Sequence, residues 1–151
     1  MNHLIKDITT IESPAIIMHG VNCQQVMRNG VAKAIYTKWP SVIEKYKQFS
    51  EMEVFLGKVD VIEVEEELFV MNCWTQEDYG YDKAAYASTV AIALCLESVI
   101  NFAIENGINN IYSPKVGCGL GGLNWMHDVE PIFTKIQNKY KNLRITICDL
   151  N

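Results

Sequence analysis

Between Ser113 and Trp125 the chain reads SPKVGCGLGGLNW, and four of its nine glycines, Gly117, Gly119, Gly121 and Gly122, fall within six positions. The cluster lies between an apolar, β-like run, INNIY, and a helix opening, NWMHDVEPIF. Glycine at that density means that the backbone either approaches another group closely or adopts φ > 0, because no side chain stands in the way. A loop of bare N–H groups leading into a helix N-terminus is a ready anion site, since the first-turn donors lack intrahelical partners and the helix dipole is positive there. A plain strand-to-helix turn needs about one or two glycines; four point to a phosphate cradle.

The rest of the chain reads as a scaffold for that loop. His3 to Lys6 is a short β-like run ended by Asp7 and the polar turn ITTIESP. Ala15 to Val21, AIIMHGV, is apolar and β-branched enough for a buried strand, with His19 near its C-terminal end. The turn-rich NCQQVMRNG leads into VAKAIYTKW, where Val31, Ile35 and Trp39 recur at helical spacing, with Asn29 and Gly30 at the helix start. Pro40 ends that helix, and Ser41 to Glu44 reads as a capping box for the next, SVIEKYKQF. VDVIEVEE and LFVMNCW are two strands joined by the acidic stretch Glu65 to Glu67, and TQEDYGYD is a polar loop. Asp82 is the expected N-cap of the longest helix, which runs to about Asn106 and is closed by Gly107 in the left-handed conformation. Its core stripe is Ala85, Thr89, Ile92, Leu96, Val99 and Phe102. The strand INNIYS, a helix from about Asn124 to Lys139 and a last strand, LRITICDL, follow. Six β-like runs alternating with helices predict a three-layer α/β/α domain over residues 1–151, built on a mostly parallel, mixed six-stranded sheet.

A net charge of −5 with no cluster of Lys and Arg argues against a nucleic-acid partner held by a basic patch. The five cysteines are odd in number and widely spaced without a CxxC, so neither a disulfide framework nor a zinc site is expected. No basic segment followed by an apolar run opens the chain, and VAIALCL is broken by Glu97 well short of the ~20 residues a spanning helix needs. These features predict a cytoplasmic, monomeric protein with no membrane partner, no stable nucleic-acid partner, no metal and no cofactor.

GCGLGG also fits G-x-G-x-x-G between a strand and a helix, the dinucleotide-binding fingerprint. That reading needs a strand after the loop ending in an acidic residue ~20 positions on. Here Asp149 lies 27 positions past Gly122 and the motif sits at the back of the chain, which disfavours a nicotinamide-dependent enzyme. No GK[ST] follows, which excludes a Walker loop. In a parallel sheet, loops leaving the C-terminal ends of neighbouring strands share one crevice. The loop after His19 and the loop after Ser113 are therefore expected to face each other and to hold a pyrophosphate between them.

With both loops in view, the sequence resembles the macrodomains, a family that binds ADP-ribose. The similarity runs from KDIT through IIMHGVNCQQVMRNGVAKAI and FVMNCWTQ to SPKVGCGLGGLNW and ITICDL. It is strongest to the branch holding the phage-type and yeast ADP-ribose 1''-phosphate phosphatases, the terminal ADP-ribose glycohydrolase and the antitoxins of DNA ADP-ribosylation. The resemblance implies that Asp7 and Ile8 receive the adenine, the carboxylate accepting from its exocyclic amine. It implies that Met27, Arg28, Asn29, Gly30 and Val31 form the first loop, against the distal ribose and phosphates. Lys115, Val116, Gly117, Cys118, Gly119, Leu120, Gly121 and Gly122 form the second, around the diphosphate, closed by Trp125. His19 aligns with a histidine of the phosphatases and glycohydrolases, and Asn22 with the first polar residue after the strand. His19 is then either a general acid toward the leaving sugar oxygen or phosphate-binding cation, or a histidine that holds the loop in shape.

Departures from the family pattern narrow the chemistry. Gln76 stands where the glycohydrolase and antitoxins use a lysine, and Gln forms no Schiff base. Gly121 stands where the glycohydrolase has an aspartate, and Cys148 where relatives often place an aromatic ring against the adenine. Cys118, set among amides that would lower a thiol pKa, reads either as a nucleophile or as a small residue that fits. The expected function is ADP-ribose binding with hydrolysis of the terminal phosphomonoester of ADP-ribose 1''-phosphate, His19 and Asn22 being the catalytic candidates. Its alternatives are a non-catalytic ADP-ribose reader and a hydrolase that removes ADP-ribose from protein or nucleic acid without a lysine.

Overall fold

In the computed structural model, residues 1–23, 30–48, 55–77, 87–119 and 121–150 are described. The apolar run at Ala15–Asn22 forms β2, whose residues are buried on both faces apart from the half-buried Gly20. Such a strand needs cover on both sides, and its neighbours supply it. The sheet has the order β1-β6-β5-β2-β4-β3, with β1 at Asn2–Ile5, β3 at Val59–Glu65, β4 at Leu68–Gln76, β5 at Asn110–Ser113 and β6 at Arg144–Asp149. Pairs β1/β6, β6/β5, β5/β2 and β2/β4 are parallel, and β3 closes the far edge antiparallel to β4. This is the mostly parallel, mixed six-stranded sheet expected from the sequence.

The alternation of β2 divides the core in two. Ile16 and Met18 join Met71, Ile92, Leu96, Phe133 and Ile145 on the side of α3 (Thr89–Asn106) and α4 (Glu130–Lys139). Ile17 and Val21 join Ile35, Val42, Tyr46, Val70 and Trp74 on the side of α1 (Gly30–Lys38) and α2 (Ser41–Tyr46). Each such aliphatic side chain contributes about 1.5–3 kcal/mol when fully buried.

Three helix starts differ from the sequence reading. The capping box at Ser41 is not formed: Pro40, already helical at φ −56°, stands at the cap with no side-chain bond, because its fixed φ suits a helix start and draws Ser41 inside. Asp82 lies outside the described residues, as does Ala85, but the N-cap of α3 is Ser88, whose Oγ accepts from Ala91 N at 3.1 Å. The chain there is still paired with the sheet: Ala87 bridges Gln76, and Ser88 N donates to Thr75 O at 2.7 Å, so helix can begin only afterwards. The last helix opens as a π turn, Trp125–Val129, before α4 becomes regular. Gly107 closes α3 at φ 66°, as expected. By length and composition α3 is apolar enough to cross a membrane, against the sequence expectation; here seven of its residues are buried against the sheet.

Candidate functional site

Because β5 and β2 are adjacent and parallel, pairing Ile16 with Ile111 and Ile17 with Tyr112, their C-terminal ends lie side by side. Gly20 makes the closest approach possible. A Cβ there would stand 2.6 Å from Thr75 Oγ1 and 2.8 Å from Val116 Cγ2. The glycine loop, through Val116, thus packs against the C-terminal end of β2; the first loop, residues 24–29, lies outside the described residues.

That loop is curled by its own backbone. Leu123 N donates to Gly117 O at 2.9 Å and Gly122 N to Gly119 O at 3.2 Å, with Gly117 and Gly122 at φ 78° and 82°. A Cβ on Gly121 would meet Gly117 O at 2.6 Å, so the turn closes only around glycine. Val116 N and Cys118 N are also consumed internally, by Pro114 O and Lys115 O. The amides of Gly117, Gly119 and Gly121 take no hydrogen-bond partner among the described residues, and a Cβ on Gly119 would meet nothing within 4 Å. The cradle is thus a set of alternate amides. Leu120 lies outside the described residues.

The helix that follows adds less than its position suggested. Asn124 Oδ1 accepts from His127 N at 2.9 Å and Asp128 Oδ2 accepts from Asn124 N at 2.7 Å, so the chain's own side chains serve that N-terminus. Trp125 closes the segment by packing on Phe133 and donating Nε1–H to Glu130 at 3.0 Å. The nucleophilic reading of Cys118 is corrected: burial and Asp128 push its thiol up to about 11, which keeps it protonated.

On the other side of the crevice, His19 is buried with 1% exposure. Its Nε2 lies 2.6 Å from Asn72 Oδ1. Asn72 donates through Nδ2 to Val42 O at 3.3 Å and Asp60 Oδ2 at 3.4 Å, so Oδ1 must accept and Nε2 carries the proton. Asp60 also accepts from Trp74 Nε1 at 3.0 Å and pairs with Lys58 at 2.9 Å. His19 therefore ends a buried polar chain, with Nδ1 unpartnered among the described residues. Burial holds its pKa down to about 4 despite the Asn72 bond, so the ring is neutral. An enclosed, neutral ring suits a histidine that shapes the strand end better than a general acid or phosphate-binding cation. Asn22, expected just after the strand, is the last residue of β2, and it too is buried, its carbonyl and Oδ1 both accepting from Tyr46 Oη, at 2.6 and 3.1 Å.

The remaining positions divide. Asp7 is exposed, and its Oδ1 accepts from Thr9 N at 2.9 Å and Thr9 Oγ1 at 2.7 Å, which lowers its pKa and leaves Oδ2 without a partner among the described residues. Ile8 and Cys148 are buried together in the α1–α2 core at 6% and 5% exposure, so Cys148 offers almost no surface to stack on a base. Gly30, at φ 63°, and Val31 start α1, while Met27, Arg28 and Asn29 lie outside the described residues. Lys115 is half exposed and pairs with Asp149 at 2.9 Å.

Sequence reasoning missed Tyr46, Asn72, Thr75 and the role of Gly20. Only Gly20 carried a signal: an isolated glycine inside a strand marks a close approach.

The Macro domain profile matches residues 18–133. No curated protein matches the chain by sequence. Among solved structures, a protein of unknown function from Bacteroides thetaiotaomicron is 28% identical over 99% of this chain and 97% of its own, with a TM-score of 0.82. The macrodomain of Mycobacterium tuberculosis DarG is 23% identical over 97% of this chain and 95% of its own, with a TM-score of 0.83. Thermosipho africanus DarTG, solved in complex with ADP-ribose, is 21% identical over 88% of this chain and 37% of its own, with a TM-score of 0.71. With a profile match over most of its length and the sheet order described above, the chain belongs to the macrodomain family.

Proposed function

We propose that this macrodomain binds ADP-ribose-type ligands, with the diphosphate on the glycine loop and the adenine amine on Asp7. The observation that carries the reading is the set of amides at Gly117, Gly119 and Gly121 that have no partner among the described residues, in a loop packed against the end of β2. Backbone N–H groups to an anionic oxygen are charge-assisted bonds and need no basic side chain, which suits a chain of net charge −5. The ADP-ribose complex of the Thermosipho relative supports the same ligand class. Release of phosphate from ADP-ribose 1''-phosphate, the activity that the resemblance implies, has its expected acid enclosed and neutral in His19. Binding without His19-dependent turnover is the reading the geometry favours.

Calorimetric titration with ADP-ribose tests it, with Gly119→Val as the control. That glycine has open space at its Cβ and no positive φ, so the variant folds, yet its side chain fills the cradle. Binding by the parent and loss of it in Gly119→Val are expected; equal affinities would overturn the reading. A parallel phosphate-release assay on ADP-ribose 1''-phosphate is expected to stay at background.

A further inference from the structure

An exposed ion pair stands at the entry to the glycine loop. Lys115 Nζ meets Asp149 Oδ2 at 2.9 Å, with the two side chains 42% and 41% exposed. A pair so open to water adds little to stability, so its place in the fold is the informative part.

The strand order sets the C-terminal ends of β1, β6 and β5 in a row. Asp7 follows β1, Asp149 ends β6, and Lys115 follows β5 at the entry to the glycine loop. Lys6 N donates to Asp149 O at 2.8 Å, and Ile5 pairs with Asp149, so this carboxylate is fixed beside the turn that carries Asp7. At ~4.8 Å between strands, the two steps from β1 to β5 span about 10 Å. A ligand with its adenine at Asp7 and its diphosphate on the loop amides must cross the end of β6. The part of ADP-ribose between adenine and diphosphate is the adenosine ribose.

From this we infer that Asp149 is a specificity-determining residue that selects ligands whose adenosine ribose carries a free 2'-hydroxyl, with Lys115 as its positioning partner. The inference rests on the ADP-ribose reading above. A carboxylate accepts from ribose hydroxyls and retains capacity to do so while paired with an ammonium. A 2'-phosphate at the same place sets like charges together, the principle by which an acidic residue at a ribose separates the two nicotinamide dinucleotides. Lys115 offsets part of that repulsion and holds the carboxylate over the strand end.

The test is calorimetric titration of the parent, Asp149→Asn and Lys115→Gln with ADP-ribose and with its 2'-phosphorylated counterpart. The parent is expected to prefer ADP-ribose by about tenfold or more, equivalent to about 1.4 kcal/mol. Asp149→Asn frees Lys115 for a phosphate and shifts the ratio toward the 2'-phosphorylated ligand. Lys115→Gln removes that offset and shifts it the other way. Opposite shifts from two halves of one ion pair are not produced by a general loss of structure. Binding with the same ratio in all three proteins, or shifts of one sign, overturns this inference alone. Failure of the parent to bind either ligand overturns the ADP-ribose reading together with it.

Discussion

His19 and Asn72 are joined across β2 and β4 by a 2.6 Å bond whose direction is fixed by what Asn72 does with its other atoms. The imidazole is thereby committed as a neutral donor at Nε2, and its charged form is penalised by complete burial. The folded-state pKa of about 4 lies below the ordinary value of 6.5, so the unfolded chain binds the extra proton first. The stability that His19 contributes is fully present above pH 6.5 and is lost as the pH falls from there toward 4, by on the order of 3 kcal/mol. Urea unfolding at pH 7 and pH 4.5 measures it. His19→Gln removes this titration, so its stability is expected to fall less over the same interval.

Gly20→Ala introduces a Cβ into the contact with Thr75 Oγ1 and Val116 Cγ2. Both neighbours are enclosed, so the cost is expected at about 1–3 kcal/mol, as for overpacking elsewhere. Since Val116 opens the glycine loop, ADP-ribose affinity is expected to fall as well. Denaturant midpoints and calorimetry on the same preparation read the two effects.

Thr75 carries the opposite expectation. Its hydroxyl is buried and has no partner among the described residues. Thr75→Val keeps the shape and removes the orphan, so it is expected to stabilise the fold by about 1 kcal/mol, visible as a higher urea midpoint at unchanged slope.

Cys118 lies inside the glycine loop with its thiol pushed up to about 11, against an ordinary value of 9.0. Thiolate is the reactive form, so alkylation at pH 8 is expected to run about a hundredfold slower than for an unperturbed thiol. Mass-resolved iodoacetamide labelling gives the rate, and Cys118→Ser is expected to keep ADP-ribose binding.

The sheet was legible because its strands are β-branched or alternating runs bounded by turn residues, and the apolar run at Ala15–Val21 showed burial on both faces. The glycine loop was legible because only glycine closes a turn in which Gly117 O would meet the Cβ of residue 121. The start of α3 was not, because the pairing of Ala87 with Gln76 is a tertiary contact that overrides the capping pattern at Asp82. Nor was the fate of His19. Its strand position is the same whether the ring faces a ligand or a buried amide, and the difference lies in Asn72, which meets it from β4 and is backed by Asp60 of β3 and by Lys58 just before that strand. Asp149 was visible as an acidic residue at a strand end, yet its partner became clear only once β6 lay beside β5.

Nitrogen–proton correlation spectra of the labelled protein observe the three loop amides directly. On addition of ADP-ribose, the Gly117, Gly119 and Gly121 amide protons are expected to move downfield together, as amides do on meeting phosphate oxygens, with Gly107 at the far end of α3 unmoved. Saturable binding that shifts other residues while these three stay in place would contradict the account.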